Sequence, residues 1–374
     1  MSEQKQITVA KPFLPPLEDY IELVSSIWKG GQLTNDGPLH KLLETQLAQY
    51  LNVEHVSLFC NGTIALIAAL RQFDFKDGEV ITTPFSFAAT AHAIEWSGLT
   101  PVFVDIDERS FNLDPSKIEG AITERTRAIL PVHVFGNSCD TDSLEGICTT
   151  HGLKLVFDAA HSFGANCHCG QLLNRGDCSI LSFHSTKVFH TVEGGMVVSK
   201  SEAAKKHLDL IRNFGIVDET TINAVGLNGK MNEFEAAMGL AILPHMQDQI
   251  SHRACVDRVY RDGLGELPGI VLPDFAGCIT RNYSYFPILV GDEAKLTRDQ
   301  LYERLALDKI KCRRYFYPLL SNITAYKNNP GAEKSNLPIA NRISEQVLCL
   351  PISGTLQIDD VRRICTKLQQ LLCH

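Results

Sequence analysis

Lys187 stands at the end of the run Ser182-Phe183-His184-Ser185-Thr186-Lys187. It lies between two short apolar runs, Ile180-Leu181 and Met196-Val197-Val198, that read as buried strands. A lysine held in a loop among apolar neighbours loses hydration of its charged form, so its pKa falls and the neutral amine becomes a nucleophile. Such an amine condenses with aldehydes and ketones to give Schiff bases. One supersecondary unit upstream, the apolar run Val156-Phe157 ends in Asp158, a carboxylate at a strand end. Either residue alone is ordinary, since most lysines lie on solvated surfaces and an aspartate after a strand commonly caps the next turn. In this order, and followed by Glu193-Gly194-Gly195, they form the pair that pyridoxal 5'-phosphate (PLP) chemistry requires. The lysine would hold the cofactor's aldehyde carbon, and the acid would keep its ring nitrogen protonated so that the ring accepts electrons.

Further residues fit the same cofactor. Asn61-Gly62-Thr63 opens an apolar helix after the short strand Val56–Phe59, and a helix N-terminus with free N–H groups suits a phosphate. Gly62 allows close backbone approach and Thr63 adds a hydroxyl, although the same three residues also read as an ordinary helix cap. Ser182 offers a second hydroxyl. Phe87, in an aromatic loop after a strand, is placed either to stack on a ring or to pack in the core. His161 follows Asp158 by three residues, and serves either as a hydrogen-bond partner of that acid or of the ring hydroxyl, or as a structural histidine.

The elements that must position these groups alternate regularly. Strands are expected at Val56–Phe59, Val80–Thr82, Pro101–Val104, Ala128–Val134 and Leu153–Phe157, with helices between them. This rhythm implies crossover connections and a mostly parallel sheet, with ligands at the carboxyl ends of the strands. Thr63, Phe87, Asp158 and Ser182 all follow strand ends. A long helical pattern runs from Met231 to about Tyr260. Beyond it come a strand near Ser284–Leu289, a helix near Thr297–Leu305, a strand at Lys309–Arg313 and a closing helix from Ile358 to Leu372. The chain therefore reads as a large domain over residues 1–250, with an N-terminal arm, and a smaller α/β domain over 251–374.

The 374 residues carry 35 basic and 43 acidic side chains, a net charge of −8, which argues against a general nucleic-acid binder. Neither a leader-like apolar segment nor a membrane-length apolar run is visible, so a cytoplasmic protein is expected. The twelve cysteines lack metal-ligand spacing, Cys167-His168-Cys169 being too tight for one zinc. Those in apolar runs, Cys60, Cys178, Cys349 and Cys365, read as reduced small hydrophobes. No metal is expected.

Taken together, Asn61-Gly62-Thr63, Pro84-Phe85-Ser86-Phe87-Ala88-Ala89-Thr90-Ala91, Asp158-Ala159-Ala160-His161-Ser162-Phe163-Gly164, Ser182-Phe183-His184-Ser185-Thr186-Lys187 and Glu193-Gly194-Gly195 resemble the DegT/StrS family. Those are fold-type-I, PLP-dependent nucleotide-sugar aminotransferases. The resemblance implies an α/β fold with a mostly parallel seven-stranded sheet in the large domain. It implies that Lys187 carries the cofactor, Asp158 pairs with the ring nitrogen, His161 meets the ring hydroxyl, Phe87 stacks on the ring, and Gly62, Thr63 and Ser182 hold the phosphate. It further implies that Asn228 reaches the phosphate of a neighbouring subunit, giving a homodimer with shared sites. Ser185 and Val188–His190 would bear on which sugar is bound. His184, Lys230, Arg313, Tyr315 and Tyr317 are candidates for substrate contacts.

Within that family the arm Pro12-Phe13-Leu14-Pro15-Pro16-Leu17 and the run Lys187–Glu193 are most similar to enzymes acting on dTDP-4-keto-6-deoxyglucose, which install an amine at C4 for surface polysaccharides such as O-antigen. The expected reaction takes the amino group of L-glutamate, leaves pyridoxamine 5'-phosphate, and passes the amine to the keto-sugar. Rival readings are a 3-keto-sugar or UDP-sugar enzyme of the same family, a dehydratase or desulfurase on the same fold, and a non-catalytic binding protein.

Overall fold

Seven strands build the central sheet: β1 (His55–Phe59), β2 (Glu79–Thr82), β3 (Thr100–Phe103), β4 (Thr126–Leu130), β5 (Lys154–Asp158), then, after a short strand β6 (Asn166–Cys167), β7 (Cys178–Ser182) and β8 (Gly195–Ser199). Their order across the sheet is β1-β8-β7-β5-β4-β2-β3. The pairs from β7 through β5, β4 and β2 to β3 are parallel, while β8 runs antiparallel to both β7 and β1. The carboxyl ends of β1, β2, β5 and β7 therefore share one edge of the sheet. The computed structural model describes residues 6–167, 170–275 and 278–373.

Strand residues alternate between faces, and both faces are covered, as a mostly parallel sheet requires. Val80, Val156, Ile180 and Val197 pack with Ala69 and Leu66 of α3 (Gly62–Arg71), Ile94 of α4 (Ala88–Trp96) and Leu208 of α6 (Glu202–Arg212). Their neighbours point the other way. Ile81 and Phe157 meet Leu144 of α5 (Thr141–His151), and Leu181 and Met196 meet Leu43 and Leu47 of α2 (Pro38–Leu51) and Ala237 of α7 (Glu233–Ile242).

The helical pattern expected from Met231 to Tyr260 is broken. It divides into α7 and α8 (Met246–Leu264) across a 3-10 turn at Leu243–His245, where Pro244 has no N–H to continue the first helix. Helix α8 places Met246 in the core under α2 and α7, and Val256, Tyr260 and Leu264 in a second core. After β9 (Ile270–Val271) and β10 (Cys278–Thr280), which pairs with β6, come β11 (Phe286–Val290) and β12 (Val347–Leu350). The second core lies against the sheet β12-β11-β9 and includes Leu301 and Leu305 of α9 (Arg298–Leu307) and, beyond α10 (Pro338–Gln346), Leu368 of α11 (Ile358–Cys373). Expected strand Lys309–Arg313 does not form. Ile310 instead bridges Ile7 of the N-terminal arm, and Arg313 bridges Cys349. The arm thus docks on the C-terminal unit, because buried Ile7 finds its apolar partners there. Cys178, Cys349 and Cys365 are buried free thiols, as expected, whereas Cys167 is disulfide-bonded; residues 168–169 lie outside the described residues. Among the described residues no helix is long and apolar enough to cross a membrane, and no His, Cys, Asp and Glu cluster is arranged to hold a metal.

A buried ion network fixes α2, which follows α1 (Leu17–Gly30), onto the sheet and α6. Arg212 donates to Glu44 Oε1 (2.8 Å), Asp36 Oδ1 (3.0 Å) and the Leu58 carbonyl (3.0 Å). Burial alone would raise Glu44, but the His40 hydrogen bond and the charges of Arg212 and Lys205 hold it well below the usual carboxylate range. Removing one partner of a buried pair leaves the other charge uncompensated. Arg212→Ala is therefore expected to lower unfolding free energy by about 3 kcal/mol, read from urea denaturation.

Candidate active site

Four strand ends converge on one cavity of about 230 Å³. Asn61, Gly62 and Thr63 come from the end of β1, Ser86 and Phe87 from the end of β2, Asp158 and His161 from the end of β5, and Ser182, His184 and Lys187 from the end of β7. A larger surface groove, about 980 Å³, runs past Asp107, Asp114 and Asp140, and among the described residues no lysine or arginine lines it.

The β1 and β7 ends meet through two glycines. Any Cβ on Gly62 would lie 2.8 Å from the Cβ of Ser182, and one on Gly195 would lie 2.5 Å from the carbonyl oxygen of Asn61. Bare backbone at these positions lets the helix start approach the strand end. Asn61 caps α3 by accepting from the Ile64 N–H (2.9 Å), leaving the first-turn amides of Gly62 and Thr63 outside the intrahelical ladder. The result is an anion cradle of backbone N–H groups beside the hydroxyls of Thr63 and Ser182.

Lys187 owes its position to an aromatic staple. Phe163, Phe183 and Phe189 cluster beneath the loop between β7 and β8: Phe163 and Phe189 stack with ring centroids 4.6 Å apart, and Phe183 meets Phe189 edge-on at 4.9 Å. Phe183 N–H donates to Gly194 (2.8 Å) and Thr191 N–H to Phe183 (3.0 Å), closing the loop base. Val188, Phe189 and His190 are consequently buried in or against the core and do not themselves line the cavity. Lys187 is left at the wall of the cavity. Burial lowers its amine to about 8, with Asp158 opposing the fall.

Asp158 is 4% exposed. Its Oδ2 accepts from Thr90 Oγ1 (2.8 Å) and its Oδ1 from the Ala160 N–H (3.1 Å). Burial raises its pKa, while these two donors and Lys187 pull it down. His161 is pushed well below the ordinary histidine value by burial and by Lys187, so its ring is neutral. Its Nδ1 is buried without a hydrogen-bond partner, and its ring lies parallel to that of Phe316.

From the C-terminal unit come Tyr285, Arg313, Tyr315 and Phe316. Arg313 is clipped by backbone bonds with Cys349 (3.1 and 2.7 Å), and its guanidinium lies over the Tyr315 ring. Three candidates lie elsewhere. Tyr317 sits between Arg298 and Arg314, while Lys230 donates to Asn228 Oδ1 (2.8 Å) and covers the Phe214 ring, and none of Asn228, Lys230 and Tyr317 lines this chain's own cavity. Sequence reasoning assigned no role to Ser86, Thr90, Glu193, Tyr285 or Phe316. For Thr90 a signal existed, two hydroxyls one helical turn apart at the start of an apolar helix. Glu193 now pairs loosely with His184 at the cavity mouth (3.6 Å).

These residues fit PLP. The cavity offers a neutralisable amine, a buried carboxylate with spare acceptor positions, an unpartnered imidazole nitrogen and a phosphate cradle, all on its walls. One consequence is measurable without the cofactor. In apoenzyme, modification of Lys187 by an amine-directed reagent is expected to rise with pH about a midpoint near 8, not near 10.5. At neutral pH this makes its neutral form roughly a few hundred-fold more abundant than for a solvated lysine. Peptide mass mapping across pH reads the midpoint.

Comparison with known proteins agrees. The family model for the DegT/DnrJ/EryC1/StrS aminotransferase family matches residues 17–369. A dTDP-4-amino-4,6-dideoxy-D-glucose transaminase of Shigella dysenteriae is 46% identical over 98% of this chain and 100% of its own length. Its Escherichia coli counterpart is 47% identical over 97% of this chain and 98% of its own. Among solved structures, DesI in the presence of its TDP-sugar product superposes with a TM-score of 0.92 at 33% identity, covering 98% of this chain and 93% of that one. With a lysine, a buried acid and a phosphate cradle meeting in one cavity, this chain belongs to the DegT/DnrJ/EryC1/StrS family of PLP-dependent aminotransferases.

Proposed function

We propose that the protein transfers the amino group of L-glutamate to C4 of dTDP-4-keto-6-deoxy-D-glucose, giving dTDP-4-amino-4,6-dideoxy-D-glucose. The observation that carries this is the near-half identity, over essentially the full chain, to two relatives named for that product. The product class serves surface polysaccharides such as the O-antigen of lipopolysaccharide, and the enzyme works in the cytoplasm.

When bound, PLP supplies an electron sink beside the carbon that carries the migrating nitrogen. The chain supplies the rest. Lys187 Nζ, whose pKa burial lowers to about 8, takes the proton from the amino donor's Cα. In the second half-reaction it delivers a proton to the sugar carbon that receives the nitrogen. Asp158 would provide the buried negative charge that keeps the ring nitrogen protonated, and His161, whose Nδ1 is buried without a partner, would meet the ring hydroxyl. Phe87, 57% exposed on the cavity wall, would stack on the ring face. Gly62, Thr63 and Ser182 hold the phosphate. Arg313, Tyr315 and His184 meet the anionic and hydroxyl groups of the substrates. Asn228 and Lys230, outside this chain's cavity, serve the cavity of a second copy in a homodimer.

The reading is tested by incubating the PLP-loaded protein with glutamate and a panel of dTDP- and UDP-linked 4-keto and 3-keto sugars. Formation of 2-oxoglutarate with the dTDP-4-keto sugar, and an amine located at C4 by NMR, is expected. Turnover confined to a 3-keto or UDP-linked sugar overturns it.

A further inference from the structure

Behind Asp158 lies a hydroxyl pair that the reaction described above does not use. Thr90 sits in the first turn of α4, is fully buried, and aims Oγ1 at Asp158 Oδ2 (2.8 Å). Ser86, 4% exposed, lies 2.7 Å from the same Thr90 oxygen and also lines the cavity. Each hydroxyl has one proton. An ionised carboxylate only accepts, so Thr90 must donate to Asp158, and Ser86 must in turn donate to Thr90. The pair is thus a directed chain of two O–H groups ending on one carboxylate oxygen. The other oxygen is held by the Ala160 N–H at 3.1 Å. Both oxygens keep a further lone pair free, and the plane of the carboxylate is fixed from two sides.

We propose that the Ser86–Thr90 hydroxyl chain is a positioning device that keeps Asp158 charged and oriented toward the cofactor's ring nitrogen, so that Thr90 sets how strongly the ring withdraws electrons. The inference rests on the reading of Asp158 given above, but not on the identity of the sugar. Donors in such a chain strengthen one another, and hydrogen bonds to a charged group are about twice as strong as neutral ones. Without Thr90's hydroxyl, Asp158 keeps the Ala160 N–H and the Lys187 charge to stabilise its ionised form. Burial then favours its neutral form, and the ring nitrogen loses its counter-ion. A less electron-withdrawing ring lets the nitrogen of Lys187 in the loaded enzyme hold its proton more tightly.

The test compares Thr90→Val, Thr90→Ser and Ser86→Ala as PLP-loaded enzymes. The pH midpoint of the cofactor's visible band, measured with no substrate present, is expected to rise by about one pH unit in T90V. It should rise by less in S86A and stay at the wild-type value in T90S. In T90V kcat is expected to fall about tenfold with both KM values within about twofold of wild type, since an interaction that acts in the transition state is lost rather than one that binds substrate. A merely structural role would instead lower the melting temperature and leave the midpoint in place. A wild-type midpoint in T90V, or an equal shift in T90V and T90S, overturns the proposal. Should T90V fail to fold, S86A decides: it leaves the Thr90–Asp158 contact intact, and an unchanged midpoint there overturns the chain. A wild-type protein that takes up PLP without developing the band would overturn the assignment of Lys187 and Asp158, and the proposal with it. Failure with every keto-sugar leaves this measurement unaffected.

Discussion

Lys187→Ala is expected to leave no measurable amino transfer, a loss of at least about four orders of magnitude in kcat. Two separate functions disappear with one amine. The first is covalent attachment of the aldehyde, read as loss of the visible band after PLP is added. The second is the proton shuttle between the donor's Cα and the acceptor carbon. Lys187→Arg separates charge from chemistry. A guanidinium stays protonated at any working pH, so it keeps the cation near Asp158 and still supplies neither nucleophile nor base. K187R is therefore expected to be as inactive as K187A. Folding is not at stake, because the lysine's position is set by the Phe163–Phe183–Phe189 cluster and by backbone bonds at the loop base, none of which involve its amine. An exogenous primary amine should restore a small part of the proton transfer in K187A but none in K187R, where the side chain still fills the space. Retention of more than about 1% of wild-type kcat in K187A would place the proton carrier elsewhere.

The parts of this site that could be read from the sequence are those that follow strand ends. Short apolar runs alternating with helical patterns located β1, β2, β5 and β7, and a mostly parallel sheet brings their carboxyl ends to one edge. Thr63, Phe87, Asp158, Ser182 and Lys187 were therefore legible as a group before any coordinate was known. Of the residues that the C-terminal unit supplies, Arg313 and Tyr315 were candidates from their type, whereas Tyr285 and Phe316 were not. Tyr285 and Phe316 reach the cavity through docking of β11 and of the segment after Ile310, and nothing local in their sequence distinguishes an aromatic that lines a site from one that fills a core. Tyr317 illustrates the converse. It was a candidate for substrate contact, but its ring is covered by two arginines, Arg298 and Arg314, and does not line the cavity. Apolar run length also failed at Pro244, where a single missing N–H outweighed the surrounding helical pattern. Asn228 and Lys230 cannot be judged from local pattern at all, because the cavity they are proposed to serve belongs to another copy.

Asp158→Asn should lower kcat by about a thousandfold, roughly 4 kcal/mol of transition-state stabilisation. The substitution keeps the volume and the acceptor for Thr90 while removing the charge beneath the ring. The same change is expected to act in the opposite direction on stability. Burial raises the folded-state pKa of Asp158 above its unfolded value. The native state therefore binds that proton more tightly, and the associated stability is complete below the unfolded pKa of 3.8 and is lost as pH rises through the folded pKa. An asparagine carries no such loss, so apo D158N is expected to melt above the apo wild type at neutral pH, with the two converging toward pH 4. Lys187 reports on the same coupling from its own side. Asp158 is the group that holds its pKa up against burial, so in D158N the pH midpoint for modifying Lys187 should fall below about 8. A D158N apoenzyme that is less stable than wild type, with an unchanged Lys187 midpoint, would mean that the carboxylate serves packing rather than charge. A higher melting temperature together with a lower midpoint and a collapsed kcat is the signature of an acid kept buried at the expense of stability because the reaction needs its charge there.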